Sequence, residues 1–171
     1  VASALKLNPN IKENIVIVWL GGHARECSDT KEFNLWQDVA ASRVIFGSGA
    51  PIVQLPCMGV VSDFSITEPI LKANLSLKNE LCDYLLTHTI DECKKFFNTA
   101  SFSKVIWDVT AVAWLLNDND KFMESRITDV LMPGYDGYYE KVPLRIPMRY
   151  VTRIFRDKLF EDLFLKLSEL S

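Results

Sequence analysis

The sequence lacks a long hydrophobic run and a leader-like amino terminus. No apolar stretch approaches the ~20 residues that a membrane-spanning helix needs; the segment Ile15–Leu20, for example, is ended by Gly21 and Gly22. The first residues also lack the charged-then-apolar pattern of a signal peptide. We therefore expect a protein that does not contact membranes and lies in the cytoplasm.

Cysteine is scarce and widely spaced. Its four positions are Cys27, Cys57, Cys82 and Cys93. A disulfide-stabilised scaffold has denser cysteines in a shorter secreted chain. A zinc site needs ligands at closer spacing, and the two histidines, His23 and His88, are isolated. The spacing predicts reduced thiols.

Basic residues are not in excess. The chain has 19 basic and 22 acidic residues and a net charge of -3. Proteins that bind nucleic acid without sequence preference neutralise phosphates with lysine and arginine, so this balance argues against a nucleic-acid partner. At 171 residues, with 49% hydrophobic residues, the chain can bury a core of its own. We predict a single domain over residues 1–171.

The amino-terminal segment Val1–Leu7 has no initiator methionine and no exposed N-cap. It is typical of the middle of a helix that ends near Asn8–Asn10. We therefore expect this chain to be part of a longer polypeptide.

Short β-branched segments alternate with helical ones along the chain. The predicted strands are Asn14–Leu20, Pro51–Leu55 and Lys104–Trp107, followed by Arg126–Leu131 and Arg145–Ile154. The predicted helices are Val39–Phe46 with Asp38 as its cap, one opening at Thr67–Pro69, Asn79–Phe97, Asp108–Leu116 and Arg156–Leu170. Continuously apolar strands are typical of parallel sheets buried on both faces. The alternation predicts an α/β fold, a largely parallel sheet flanked by helices.

Polar residues follow two of the predicted strands. One group is the loop Gly21–Gln37 and the other is the step Trp107–Asp108. In open α/β sheets the ligand crevice lies outside the carboxyl ends of the strands. We therefore expect these residues to meet in one site.

The spacing within the first group is specific. Gly21-Gly22 is followed by the triplet Glu32-Phe33-Asn34 and then by Asp38–Ala41, where a helix begins with paired alanines. This arrangement resembles the nucleoside hydrolase family, of the inosine-uridine-preferring type. The segment Val105–Ala113 resembles the same family's strand-to-helix step, in which an aspartate follows a residue that touches the nucleobase.

The resemblance extends to both ends of the chain. The helix and strand over Val1–Gly22 and the segment Arg149–Phe160 are similar to family members. The resemblance covers nearly all 171 residues, but only somewhat more than the latter half of the family's usual chain. It therefore implies the carboxy-terminal part of a nucleoside hydrolase domain, incomplete at the amino terminus.

The resemblance implies a hydrolase that cleaves the N-glycosidic bond of ribonucleosides with a calcium-activated water. It implies that Asp108 is a calcium ligand close to the ribose hydroxyls. It also implies that Glu32 and Asn34 bind the sugar, mainly toward its 5′ side. A nucleoside substrate, a homo-oligomeric state and a role in purine or pyrimidine salvage follow from the same likeness.

Two positions depart from the family pattern. Many members carry an asparagine upstream of the triplet that touches ribose, and Glu26 is the candidate substitute here. Many members also carry a histidine before the aspartate as an acid for the leaving base, whereas this chain has Trp107. A tryptophan can stack on the base, a contact of about 1–3 kcal/mol.

Each of these residues also has a purely structural interpretation. Asp38 is expected to act only as a helix cap, and Asp108 could do the same. Trp19 and Trp114 are expected in the core, and Cys57–Gly59 in loop packing. His23 and His88 are expected to be ordinary surface or satisfied residues.

The family's aspartate-rich calcium motif does not occur in the sequence. The polar segment Asn117–Asp120 lacks a glycine in register and is predicted to be a turn. Calcium takes 6–8 oxygen ligands, which Asp108 cannot supply alone. We therefore expect the water-activating aspartate upstream of Val1, and an isolated fragment that binds calcium weakly and is inactive.

Two alternatives remain open. The first is a non-catalytic relic of the fold that acts in binding or assembly. The second is an unrelated α/β domain in which Asp38 and Asp108 only cap helices.

Overall fold

The computed structural model describes residues 1–99, 101–143 and 145–170. These residues form two compact units. The first unit comprises Val1–Ser62 and Trp107–Ile154, and the second comprises the described residues of Asp63–Ile106 and Phe155–Ser171. The expectation of one domain stays a prediction. Within the described residues, no helix combines the length and the apolar character needed to cross a membrane.

Helices and strands alternate along the chain. The helices are α1 (Ala2–Leu7), α2 (Phe33–Trp36), α3 (Val39–Phe46), α4 (Glu68–Leu75), α5 (Glu80–Phe97), α6 (Val109–Trp114) and α7 (Arg156–Ser168). The strands are β1 (Ile17–Leu20), β2 (Ile52–Leu55), β3 (Ser65–Thr67), β4 (Ser103–Val105), β5 (Met123–Asp129), β6 (Leu131–Pro133), β7 (Tyr139–Lys141) and β8 (Pro147–Ile154). Short 3-10 turns occupy Pro9–Glu13, Val61–Asp63 and Asp118–Asp120.

The main sheet belongs to the first unit and has the strand order β1-β2-β8-β5. β1 pairs with β2 in parallel, and β2 pairs with β8 in parallel, whereas β5 pairs with β8 antiparallel. Every residue of β2 is buried, as expected for a strand covered on both faces. The prediction of an α/β fold with a largely parallel sheet is confirmed.

The core of the first unit lies between this sheet and the helices α1 and α3, which pack against each other. Its centre is fully buried, with Leu35 and Phe46 inaccessible to solvent. The Trp19 ring is partly buried and packs against this core, 5.3 Å from the ring of Phe46, so the prediction that Trp19 lies in the core is confirmed in part. Apolar burial of this kind is the main driving force for folding.

The predicted helix starts are confirmed at two caps. Asp38 Oδ1 accepts a hydrogen bond from the Ala41 amide at 2.8 Å, at the start of α3. Asn79 Oδ1 accepts one from the Cys82 amide at 2.8 Å, at the start of α5. Each bond satisfies one of the amides that a helix amino terminus leaves unpaired.

The prediction for Lys104–Trp107 is wrong in part. β4 spans Ser103–Val105, and it pairs antiparallel with β3 in a two-stranded sheet of the second unit. Ser103 and Lys104 are exposed, so this strand is not suited to a parallel sheet that is covered on both faces. Trp107 and Asp108 therefore do not follow a strand of the main sheet, although they belong to the first unit.

The second unit packs three helices around aromatic contacts. α4 contacts α5 and α7, and the Phe64 and Phe160 rings stack at 4.0 Å. Arg156 Nε donates to the Ser65 carbonyl at 2.8 Å, which ties α7 to β3. The described residues of this unit include none of the predicted site residues.

The turn after β1 depends on Gly22. Its φ of +74° lies in the left-handed region, and a Cβ there would come 2.3 Å from the hydroxyl of Tyr139. Gly49 has a similar φ of +76°, but a Cβ there would meet nothing within 4 Å. A side chain at Gly22 would thus meet both backbone strain and a steric clash, whereas a side chain at Gly49 would meet backbone strain alone.

We predict that Gly22→Ala lowers the free energy of unfolding by about 2–4 kcal/mol, because strain and overpacking add. The matched variant Gly49→Ala should cost about 1–2 kcal/mol from strain alone. Denaturant unfolding of both variants measures the difference. Equal losses for the two variants would contradict the steric argument.

Candidate functional site

A crevice lies at the carboxyl ends of β1 and β2. Its volume is about 480 Å³, within the range of small-molecule sites. Its walls are formed by Leu20, His23, Lys31, Glu32, Phe33, Asn34, Cys57, Met58, Trp107 and Asp108. All of these residues belong to the first unit, and the position is the one where open α/β sheets bind ligands.

Backbone hydrogen bonds hold the loops after β1 and β2 together. The Gly21 amide donates to the Leu55 carbonyl at 3.1 Å, and the Cys57 amide donates to the Gly22 carbonyl at 2.8 Å. The Ala24 amide then donates to the Met58 carbonyl at 2.9 Å. Because the strand pairing continues past the strand ends, both loops line the same crevice.

The Glu32 carboxylate joins the glycine turn to the start of α2. Its Oε2 accepts from the amides of Gly22 at 2.9 Å and Leu35 at 3.1 Å, and its Oε1 accepts from the Asn34 amide at 2.9 Å. Glu32 is only 6% exposed. Hydrogen bonds from amides to a buried carboxylate are strong, so this Glu32 clamp fixes the geometry of the crevice wall.

Three of the roughly four lone-pair positions of a carboxylate are thereby used within the protein. The Cys57 thiol also forms a hydrogen bond with this carboxylate. A thiol is a weak donor, which a ligand hydroxyl can displace. Sequence reasoning gave Glu32 a sugar-binding role and did not anticipate the clamp.

The Asn34 side chain also has one polar atom in a structural hydrogen bond and one that stays available to the crevice. Its side-chain amide donates to the Leu20 carbonyl at 3.1 Å, which closes the end of β1. No hydrogen bond among the described residues uses its Oδ1, which remains an acceptor on the crevice wall.

Asp108 stands at the N-cap position of α6, yet its carboxylate makes no capping hydrogen bond. Asp38, by contrast, caps α3. Asp108 is exposed and lines the crevice with Glu32 and Asn34. Its carboxylate is therefore not occupied by the structural role that would be the ordinary use of an aspartate here.

Apolar side chains supply another part of the wall. Trp107 is half-buried, while Phe33 is 77% and Met58 49% exposed. Large apolar groups left in contact with solvent at a crevice are suited to the face of a flat ligand.

Three residues of the crevice were assigned other roles from the sequence. Cys57–Gly59 was interpreted as loop packing and His23 as an ordinary residue, yet Cys57, Met58 and His23 line the crevice. The signal was their position directly after the strands β1 and β2. Burial raises the pKa of the Cys57 thiol, and the neighbouring charge and hydrogen bond of Glu32 and the charge of Asp108 raise it further. The thiol therefore stays protonated near neutral pH and is not an activated nucleophile.

Glu26 is not brought to the crevice. It is exposed and does not belong to the crevice wall. The neighbouring Arg25 is instead directed to the other side of the loop, where its guanidinium donates to Thr128 Oγ1 at 2.8 Å and to the Asp129 carbonyl at 2.7 Å.

Two polar side chains, those of Gln54 and Tyr139, hold the backbone of the loop after β1. Gln54 Nε2 donates to the Gly21 carbonyl at 2.9 Å, and Tyr139 Oη donates to the His23 carbonyl at 3.3 Å. Burial raises the pKa of Tyr139 to about 12, so its phenol remains a donor. Tyr139 lies on β7, which was not predicted. Gln54 was the available signal, because a polar residue in a buried strand needs a partner.

The described residues do not form a complete metal site. No group of three or more histidine, cysteine, aspartate or glutamate side chains among them is placed to hold an ion. Calcium takes 6–8 oxygen ligands, and Asp108 is the one carboxylate of the crevice that is not held by backbone amides. The residues present therefore do not fit calcium by themselves.

We predict that Glu32→Gln lowers the free energy of unfolding by about 1–3 kcal/mol. The side-chain NH2 of glutamine is a donor where the carboxylate oxygen accepts. At least one buried backbone N–H would therefore face a donor and lose its acceptor. Glu26→Gln is the matched control and should change stability by less than about 0.5 kcal/mol, since Glu26 is exposed. Thermal or denaturant unfolding measures both, and an unchanged Glu32→Gln variant would show that the clamp is not needed.

Comparison with known proteins identifies the family. The family model described as "Inosine-uridine preferring nucleoside hydrolase" matches residues 1–150, whereas no curated protein matches the sequence significantly. This match rules out the alternative of an unrelated α/β domain.

Solved structures share the fold. A plant nucleoside hydrolase superimposes with a TM-score of 0.75 at 15% identity, over 99% of this chain and 58% of that chain. A purine-preferring ribonucleoside hydrolase from Gardnerella vaginalis superimposes with a TM-score of 0.72 at 21% identity, over 98% of this chain and 56% of that chain. The chain thus spans less than three fifths of the length of these structures. The sequence match shows that the chain belongs to the inosine-uridine preferring nucleoside hydrolase family, and the shared fold agrees with it.

Proposed function

We propose that this chain is part of a ribohydrolase that splits ribonucleosides into ribose and free base. The observation that carries the proposal is the crevice beyond β1 and β2, which gathers Glu32, Asn34, Trp107 and Asp108 in a chain of this family. Four of the five residues that the sequence motifs named line this crevice, and Glu26 does not.

The acceptors of the crevice suit a sugar. Asp108 offers a carboxylate that forms no capping bond, Asn34 offers Oδ1, and Glu32 offers the position that now accepts only from the weakly donating Cys57 thiol. Ribose hydroxyls are donors that match these acceptors. In the proposal Asp108 binds the ribose hydroxyls, while Glu32 and Asn34 bind toward its 5′ side.

The apolar wall suits the base. In the proposal Trp107 stacks on the nucleobase, and Phe33 and Met58 extend the apolar surface. Stacking of a base on an aromatic ring is worth about 1–3 kcal/mol. Stacking tolerates purines and pyrimidines alike, so the proposal names ribonucleosides as a class and no single base.

Hydrolysis of an N-riboside passes through an oxocarbenium-like ribosyl. The water oxygen bonds to C1′ and the water loses a proton, while the C1′–N bond breaks and its electron pair leaves with the base, which gains a proton. In the proposal this chain's residues orient the sugar, and the negative charge of Asp108 favours the positive charge that develops on the ribosyl.

The rest of the family's domain is the proposed partner. β1 lies at one end of the main sheet and pairs on one side only among the described residues. The neighbouring Val16 is 63% exposed. A free sheet edge can pair with a further strand, so we propose that this edge receives the remainder of the domain, including the water-activating aspartate and the other calcium ligands. A homo-oligomeric state and a role in salvage stay predictions.

The test is release of ribose from inosine and uridine by the full-length polypeptide with calcium. Asp108→Asn should lower kcat/KM by at least about 100-fold, because loss of residues behind a metal ligand already costs 10–100-fold. Asp38→Asn is the matched control and should be fully active, since asparagine caps a helix as well as aspartate does.

Absence of ribose release from both nucleosides would reject the proposal and favour a non-catalytic relic that acts in binding or assembly. Full activity of Asp108→Asn in an active protein would reject only the role of Asp108.

A further inference from the structure

The imidazole of His23 lines the crevice but has no part in the sugar contacts proposed above. Its backbone is fixed, since its carbonyl accepts from Tyr139 Oη at 3.3 Å and it follows Gly22, whose φ is positive. The backbone thus brings the side chain to a defined position on the wall.

The orientation of the ring follows from its nitrogens. Nδ1 is buried and has no hydrogen-bond partner among the described residues. The polar atom that His23 can present to the crevice is consequently Nε2. A neutral imidazole carries one hydrogen, and a buried N–H without an acceptor is costly, so the hydrogen belongs on Nε2 and Nε2 is a donor.

Asp108 and Asn34 Oδ1 are acceptors, and the other side chains of the crevice wall with a donor for a ligand are Lys31 and Trp107. The ammonium of Lys31 lies over the Trp36 ring, 5.7 Å from its centroid. A tryptophan that stacks on a base holds its N–H parallel to the base plane, so the Trp107 N–H is not directed at the acceptor atoms on the base edge.

We propose that His23 donates a hydrogen bond from Nε2 to the departing nucleobase, as a substrate-contacting residue of this chain. This inference rests on the proposed function. When the C1′–N bond breaks, its electron pair moves onto the base, and a donor aimed at the base stabilises the developing negative charge. Ribose hydroxyls are donors and pair with the acceptors, which leaves the base acceptors for His23.

A substrate with an activated leaving group separates this role from a structural one. In the full-length polypeptide, His23→Leu should lower kcat/KM for inosine and uridine on the order of 100-fold, the size of effect seen when one such donor is removed. Activity on p-nitrophenyl β-D-ribofuranoside should fall by less than about threefold, because p-nitrophenolate leaves without help. His23→Gln, which keeps a donor, should restore part of the nucleoside activity.

Binding of free hypoxanthine and uracil, measured by calorimetry, gives a readout that does not need turnover. His23→Leu should weaken binding of the bases about tenfold or more. His88→Leu is the matched control and should not change it, since His88 is exposed in α5, in the second unit.

Equal losses on nucleosides and on the p-nitrophenyl riboside would overturn the inference, as would unchanged nucleoside activity. If the unmodified protein hydrolyses none of the three substrates, the proposed function fails, and base binding alone then decides: binding that His23→Leu leaves unchanged, or no binding at all, overturns the role of His23.

Discussion

Three backbone amides from two separate segments, those of Gly22, Asn34 and Leu35, converge on the carboxylate of Glu32. The glycine turn continues β1, and the other two amides open α2. A buried carboxylate tolerates this position because the amides compensate for its lost hydration. The wall of the crevice is thereby fixed by one side chain.

The clamp divides the polar groups of the crevice into two sets. Glu32, the Asn34 side-chain amide and Gln54 are mostly occupied with the backbone and hold the wall in place. Asp108, Asn34 Oδ1 and His23 Nε2 face the crevice without a partner among the described residues. A preorganised site needs both sets, since groups that bind ligand act best when other residues hold them in position. The ligand proposed for these groups is a nucleoside.

Much of the fold follows from local sequence signals. Asp38 and Asn79 precede helices and cap them, and the largely apolar strands β1 and β2 form a parallel pair. Glu32 and Asn34, which line the crevice, could be singled out because the spacing of their motif is specific, whereas Trp107 and Asp108 were added by the resemblance to the family. These signals are local in sequence, and local chemistry decides them.

What sequence did not predict depends on contacts between distant segments. Lys104–Val105 has strand propensity, but its partner Ser65–Ile66 decides that it forms a separate antiparallel pair. Tyr139 supports the loop of His23 from a hairpin more than 100 positions away. The clamp was missed for a similar reason: a glutamate in a loop reveals its charge but not the amides that surround it.

A crystal structure of the full-length polypeptide with ribose and calcium bound tests the central claim most directly. We expect the ribose in the crevice beyond β1 and β2, its hydroxyls on the Asp108 carboxylate and on Asn34 Oδ1, with Glu32 still accepting from all three amides. Ribose bound elsewhere, or a Glu32 carboxylate turned away from Gly22 to hold it, would contradict the account.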